Sequence, residues 1–314
     1  MKARGFWTVA AGQGEIRTED LPAPDPGAIQ VRALASGVSR GTEATVFAGG
    51  VPASQYAVMR APLMGGDFPF PVKYGYAMVG EAGGKRVFVL HPHQNLFNVA
   101  EAMCAAIPDA VPTRRAVLAA NMETALNIVW DAAPLVGERM MVIGAGVVGL
   151  LVGWLLGRLP GGWVVVVDVD PAREATARRL GCDFARPEEA PGERELIVHA
   201  SGSEAGLRAA LKLAAFEGRI IEASWFGDRA PALPLGEEFH VRRLRLISTQ
   251  VGSIATAMRG RRSYRERLAL ALDLLADPVF DGLLDRVVPF ETLPAVMPVL
   301  LQGGLCHVVT YGES

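Results

Sequence analysis

Cysteine is scarce in this chain. Only three occur in 314 residues, Cys104, Cys182 and Cys306. Their wide spacing forms neither a disulfide framework nor a metal-ligand repeat, which fits a reducing compartment, and a cytoplasmic location is expected. An excess of either charge is also lacking. Thirty-one Lys and Arg stand against 33 Asp and Glu, a formal charge of −2, so a general nucleic-acid binder is not expected. The opening MKARGFWTVAAGQGEIRTEDLP has no apolar core of the kind a signal peptide needs. Repeats and low-complexity segments are absent. What is present is a chain that is 50% hydrophobic and 20% charged, globular in composition and long enough for two domains with cores of their own.

The most informative stretch is 140–170, MMVIGAGVVGLLVGWLLGRLPGGWVVVVDVD. Gly144, Gly146 and Gly149, with Val147 and Val148 between the last two, make a G-x-G-x-x-G. An apolar strand-like run, Met140–Ile143, precedes it and a helix-like run, Leu150–Leu156, follows. Trp163–Val167 then reads as a second buried strand ending in Asp168. Strand, tight turn, helix, strand and acid form the order of a dinucleotide site. In such a site Gly144 permits the turn, Gly146 lets backbone approach a pyrophosphate, and Gly149 lets helix and strand pack closely. The helix N-terminus offers free N–H groups to the phosphates. Asp168 would accept hydrogen bonds from the adenosine ribose hydroxyls and repel a 2′-phosphate, which favours NAD over NADP. Arg173 could partly rescue NADP. Asp168 or Asp170 could instead cap a helix over 171–180. The competing reading, a membrane helix over the uncharged 140–157, reaches the minimum length of about 18 residues. It is disfavoured by Gly144, Gly146, Gly149, Gly153 and Gly157 and by the apolar strand that follows, since strands of a covered parallel sheet are apolar on both faces.

To about residue 115 the chain is rich in Gly and Pro with short β-forming runs, Ile29–Leu34, Val79–Ala82 and Arg86–Leu90. A helix is predicted over 116–130. Strand and helix patterns then alternate: strands near 140–143, 164–167, 196–200 and 219–223, with helices near 150–159, 171–180 and 205–215. This predicts an α/β fold with a doubly wound parallel sheet. Further strands are predicted near 243–248 and 287–289, a helix over 264–275, and a final strand over 307–311 that could return to the N-terminal domain.

The chain resembles the medium-chain dehydrogenase/reductase superfamily. The resemblance covers nearly the whole length. It is carried by Gly37-Val38-Ser39-Arg40-Gly41-Thr42-Glu43, Gly84-Lys85-Arg86-Val87, Glu123-Thr124-Ala125, the glycine fingerprint, Ala200-Ser201-Gly202 and Val308-Val309-Thr310-Tyr311. It implies a GroES-like β-rich catalytic domain, 1–115 and 253–314, with a Rossmann domain, 116–252, inserted. It also implies a homodimer or homotetramer, a small alcohol or carbonyl substrate, and no membrane partner. Zinc members carry ligands where this chain has Ser39, Tyr76 and Ala120, and a four-Cys lobe that is missing here. Those side chains do not make a thiolate–imidazole site, so no zinc is expected. Short segments are similar to zinc-free members, including hydroxyethyl-bacteriochlorophyllide dehydrogenases.

By the same resemblance Arg40 reaches the cofactor pyrophosphate and Thr124 packs on the nicotinamide. The family's other phosphate-binding Arg falls on Cys306. Tyr76, Ser39, Thr42, Glu43 and Glu123 match positions lining the substrate cleft. Without zinc, a side chain must polarise the carbonyl oxygen that gains charge. Tyr76 is the first candidate, with Ser39 and Glu123 behind it. His91-Pro92-His93 lacks a third metal ligand and reads as a polar segment rimming the cleft. Arg259, Arg261, Arg262, Arg265 and Arg267 read as a solvated basic face that could attract an anionic substrate. The expected function is zinc-independent, NAD(H)-dependent interconversion of an alcohol and a ketone or aldehyde. A quinone or enone reductase, or a non-catalytic cofactor-binding redox sensor, is the alternative.

Overall fold

The structure, a computed structural model, describes residues 1–312. It divides into two compact units, one of residues 1–120 with 268–312, the other of residues 121–267.

In the first unit β1 (Lys2–Ala10) and β2 (Gln13–Asp20) form an antiparallel hairpin turning at Gly12, whose φ of +73° suits glycine. The long β3 (Ala28–Val38) runs into α1 (Arg40–Phe47). Short β4 (Gly65–Gly66) and β5 (Val72–Lys73) extend the hairpin into a four-stranded sheet of order β2-β1-β5-β4. Then come β6 (Met78–Ala82), β7 (Lys85–Val89), β8 (Leu96–Ala100), β9 (Ala105–Ala106) and α2 (Thr113–Ala116). After the second unit the chain returns with β16 (Leu284–Pro289), α8 (Leu293–Leu300) and β17 (Cys306–Thr310), and the two strands join β3, β6, β7, β8 and β9 in a seven-stranded sheet. The final strand does return: β17 lies antiparallel to β3, with Val309 opposite Ser36 and His307 opposite Val38. On the other side of β3, Ser36 pairs with Met78 of β6. The end of β3 is thus held between the start of β17 and the segment entering β6. That arrangement gathers Ser39, Tyr76 and Cys306.

The second unit takes most of α3 (Ala119–Ala132), then β10 (Arg139–Ile143), α4 (Val147–Leu156), β11 (Trp163–Val167), α5 (Glu174–Arg179), β12 (Asp183–Ala185), β13 (Arg194–His199), α6 (Glu204–Leu213), β14 (Ala214–Glu222), β15 (Arg245–Ser248) and the start of α7 (Tyr264–Leu274). All six strands are parallel in the order β12-β11-β10-β13-β14-β15, the dinucleotide-fold order 3-2-1-4-5-6. Met141, Ile143, Val165, Val167, Ile197 and Ile220 pack in one cluster, while Met140, Val142, Val164 and Val166 on the alternate face are buried as well. The sheet is covered on both sides, which is why its strands are apolar throughout. The 140–157 run is therefore β10, a turn and a helix of 10 residues. Among the described residues no helix is long and apolar enough to cross a membrane.

Candidate active site

At the end of β10 the chain turns through Gly144 at φ +110°. A Cβ there would lie 2.7 Å from the Ser201 amide nitrogen, so the turn tolerates no side chain. Gly146 is the N-cap of α4 and faces open space, with nothing within 4 Å of a built Cβ. Val147 and Val148 open the helix, partly exposed. A Cβ on Gly149 would sit 1.9 Å from the Gly144 carbonyl oxygen, so only glycine lets the helix close onto the turn. Glycine thus removes side chains on both sides of a helix N-terminus, one for packing and one toward solvent. A phosphate cradle requires both.

Asp168, at the end of β11, accepts the Ala145 amide on Oδ2 at 2.6 Å and the Asp170 amide on Oδ1 at 2.9 Å. It therefore ties the second strand to the glycine turn. A carboxylate oxygen has two lone pairs, so each keeps one for a further donor. Capping of the following turn falls to Asp170, whose side chain accepts the Ala172 amide at 3.0 Å. Arg173 lies 3.2 Å from Asp170 in an ion pair. Thr124 is partly exposed on α3. Glu123 is 6% exposed and accepts Nε–H of Arg267 at 3.1 Å. Burial raises its pKa while Arg267 opposes the rise. The same guanidinium bonds Asn127 and the Val251 carbonyl, so Glu123 is part of the tie between α3 and the loop before α7. Arg267 is 2% exposed and does not belong to a solvated basic face. Each of its three nitrogens finds an acceptor inside, Glu123, Asn127 or the Val251 carbonyl, which is what allows a guanidinium to be buried.

In the first unit the Tyr76 hydroxyl donates to Ser39 Oγ at 2.5 Å. Burial pushes the Tyr76 pKa up to about 12, against the opposing effect of its hydrogen bonds to Ser39 and Thr42. The phenol keeps its proton at neutral pH and can serve as a donor. Ser39 is the N-cap of α1 and donates its amide to Glu43 Oε1 at 2.7 Å, one turn further on. Arg40, partly exposed, is the first residue of that helix. Behind Glu43 lies His93, with Nε2 2.9 Å from Oε2 and Nδ1 2.7 Å from Ser36 Oγ; the Tyr311 hydroxyl is 2.8 Å from Ser36 Oγ. A carboxylate only accepts, so in the neutral imidazole Nε2 carries the proton. The bonds then run one way, Tyr311 to Ser36 to His93 to Glu43. Cys306 is buried nearby, its thiol pushed up to about 12 by burial and by Glu43.

His91 and His93 do not rim anything. They are 6% and 1% exposed. The segment is drawn in beside β1 by the Phe6 amide, which donates to the His93 carbonyl at 2.9 Å. His91 bonds the Pro92 carbonyl and stacks on Phe97 with centroids 3.6 Å apart. His93 can be buried because both its ring nitrogens are bonded inside.

A second His–Glu pair, its imidazole buried and its carboxylate partly so, lies at the ends of two strands of the second unit's sheet. His199, at the end of β13, places Nδ1 2.7 Å from Glu222 Oε2 of β14 and Nε2 2.6 Å from Ser201 Oγ. Nothing in the sequence motif singled out either pair; the partners lie 50 and 23 residues apart.

No family model matches the chain. In sequence it is similar to an uncharacterized zinc-type alcohol dehydrogenase-like protein of Haemophilus influenzae, 26% identical over 227 residues. The match covers 68% of this chain and 60% of that protein. In structure it is similar to a short chain alcohol dehydrogenase from E. coli CFT073 complexed with NADH (TM-score 0.78, 16% identity, 98% of this chain and 99% of that one). It is also similar to a candidate zinc-binding dehydrogenase from Sinorhizobium meliloti bound to NADP (0.77, 16%, 99% and 99%). A third is 2R,3R-butanediol dehydrogenase from Bacillus subtilis (0.78, 16%, 98% and 99%). These structural likenesses, at 16% identity, show that the chain shares the fold of these dehydrogenases.

The zinc-type relatives raise the question of a metal. Ser39 and Tyr76 present neutral hydroxyls bonded to each other, and Ala120 presents no donor. Among the described residues no three His, Cys, Asp or Glu side chains gather to hold an ion. This donor set does not fit a zinc site of thiolates and imidazoles.

Proposed function

We propose that the chain is an oxidoreductase that interconverts a small alcohol and its ketone or aldehyde with NAD(H), and that it works without zinc. The observation that carries the reading is Asp168, tied to the glycine turn yet keeping lone pairs for ribose hydroxyls. With Gly146 open and Gly149 closed against Gly144, α4 presents unpaired amides to a pyrophosphate. Thr124 would supply a contact for the nicotinamide, and Arg40, first residue of α1, is the guanidinium that the family resemblance assigns to a pyrophosphate. A carboxylate at the ribose disfavours a 2′-phosphate, with Arg173 held by Asp170. The bound dinucleotide would supply or accept the hydride. The protein's part is to hold a proton donor at the carbonyl oxygen, and Tyr76 supports that role. Its hydroxyl is protonated and is oriented by Ser39, whose backbone is fixed by Glu43. Ser39 is the second hydroxyl of that pair. Glu123, committed to Arg267, takes a supporting position.

Calorimetric titration with NADH and NADPH, followed by oxidation of bound NADH with a panel of carbonyls, tests the reading. Tighter NADH binding and turnover with at least one carbonyl are expected. Turnover only with quinones or enones would make it a reductase of those. Binding without any turnover would make it a cofactor-binding sensor. Elemental analysis of untagged protein should give well under one zinc per chain.

A further inference from the structure

Ser201, His199 and Glu222 form a chain of hydrogen bonds ending in an exposed hydroxyl. His199 is completely buried and Glu222 is partly buried, whereas Ser201 is exposed. Because Glu222 only accepts, the Nδ1–H of the neutral imidazole points to it at 2.7 Å. Nε2 is then left as an acceptor for the Ser201 hydroxyl at 2.6 Å. That is the arrangement that makes a serine nucleophilic: a base within hydrogen-bond reach, fixed in the right tautomer by an acid. The supports are themselves fixed. Ser224 donates its amide to Glu222 Oε1 at 2.7 Å, its Oγ lies 3.3 Å from His199 Nδ1, and the Phe226 ring stacks on the imidazole. The Gly202 amide is held by Ser224 Oγ at 3.0 Å. Helix α6 opens at Glu204, two residues past Gly202, behind the N-cap Ser203. Its first amides have no acceptor within the helix, and its positive end favours charge developing on a carbonyl oxygen. Gly206 is what makes room, since a Cβ there would lie 2.5 Å from Ser201 Oγ and 2.9 Å from His199 Nε2.

We propose that Ser201 is an acylatable nucleophile, activated by His199 and Glu222, toward small acyl esters with a good leaving group. As Ser201 Oγ bonds to the acyl carbon, its proton passes to His199 Nε2 and Glu222 holds the resulting imidazolium. Collapse of the tetrahedral intermediate breaks the bond from acyl carbon to leaving oxygen, which takes up the His199 Nε2 proton with the electron pair and departs as the phenol, ionising to phenolate in solution. Hydrolysis of the acyl-serine needs a water at Nε2 in turn. His199 is completely buried behind Ser201, so the ester accumulates instead of turning over.

The test uses 4-nitrophenyl acetate on the full chain. The expected result is a burst of about one equivalent of 4-nitrophenolate per chain, slow release afterwards, and an acetyl group located on Ser201 by peptide mass spectrometry. Ser201→Ala, a change at an exposed position, removes the burst. Glu222→Gln slows it at least tenfold, a part of the about 10²–10⁴-fold that a positioned base contributes. The absence of a burst overturns the proposal. So does acetylation confined to other residues, a burst surviving Ser201→Ala, or an acylation rate unchanged in Glu222→Gln.

Discussion

The two units each contain a serine, a histidine and a glutamate bonded in the same direction, and they differ in access. In the first, Ser36, His93 and Glu43 are 1%, 1% and 3% exposed. The serine sits inside β3, two residues from its end, and its other neighbour is the Tyr311 hydroxyl at 2.8 Å. In the second, His199 and Glu222 close the ends of two parallel strands, and Ser201 stands outside them. The bond lengths are nearly the same, 2.7 and 2.9 Å against 2.6 and 2.7 Å. Chemistry therefore does not separate the two triads; burial does. The first is a strut that carries rigidity to the amide of Ser39 and from there to Tyr76. The second ends where a reagent can arrive.

The largest effect should come from cutting the strut. Glu43→Ala leaves His93 Nε2 and the Ser39 amide without their partner in a buried site, and a cost of about 3–5 kcal/mol is expected. Urea unfolding would register it as a lower midpoint at unchanged slope. The matching change, Glu222→Ala, acts on a side chain 15% exposed, where water can replace part of what is lost, and should cost clearly less. Equal losses would erase the distinction between strut and open end.

Tyr76→Phe asks whether the strut serves chemistry. It keeps the ring, which meets Tyr74 edge-on at 6.1 Å, and removes the hydroxyl. If Tyr76 is the donor, kcat should fall by about 10²–10³-fold with NADH affinity unchanged. Single-turnover oxidation of bound NADH by a competent carbonyl measures it. Unchanged turnover would pass the role to Ser39.

His91 offers a third comparison, a buried imidazole with no carboxylate. Burial presses its pKa down to about 3, against a raising contribution from its bond to the Pro92 carbonyl. The unfolded chain takes up a proton near pH 6.5 that the folded chain refuses until about pH 3. Stability from this group is therefore full above pH 6.5 and is lost as pH falls through that window. At pH 5 the loss is about 2 kcal/mol. His91→Phe, which keeps a ring against Phe97, should flatten the acid limb of the stability profile between pH 6.5 and 3. An unchanged limb would mean that another group sets it.

How much of this could be read from sequence divides along the same line. The parallel sheet and its glycine turn are written in neighbouring residues: Gly144, Gly146 and Gly149 between two apolar strands, with Asp168 closing the second. The predicted strand over 164–167 and helix over 264–275 lie within a residue or two of β11 and α7. Tyr76 and Ser39 came from the family resemblance, and the structure adds that they touch. The β1–β2 hairpin and α8 went unread. Pro294 and Pro298 make 293–300 look like a break, yet the structure carries Pro298 inside the helix. Neither His–Glu pair was legible. Sequence periodicity reports which face of an element is apolar, whereas His93 meets Glu43, and His199 meets Glu222, through strand register and the placement of a loop. The one hint was His91-Pro92-His93, and the pattern alone pointed it toward solvent.

The smallest effect is expected at Asp168. Asparagine there keeps one carbonyl oxygen, so one of the two backbone bonds, to Ala145 or to Asp170, can persist and the glycine turn should hold its shape. What goes is the charge and the second acceptor. If ribose hydroxyls donate to this carboxylate, Asp168→Asn should weaken NADH by about tenfold, or about 1.4 kcal/mol, since a hydrogen bond to a charged group exceeds one to a neutral group by about that much. NADPH should weaken less or bind more tightly, because its 2′-phosphate no longer meets like charge. The ratio of the two affinities, from parallel calorimetric titrations, is the reading to take, because a general loosening of the turn would lower both together. An equal loss for both would make Asp168 a brace for the glycine turn, as its bond to the Ala145 amide already is, and would leave Arg173 to decide between the two cofactors.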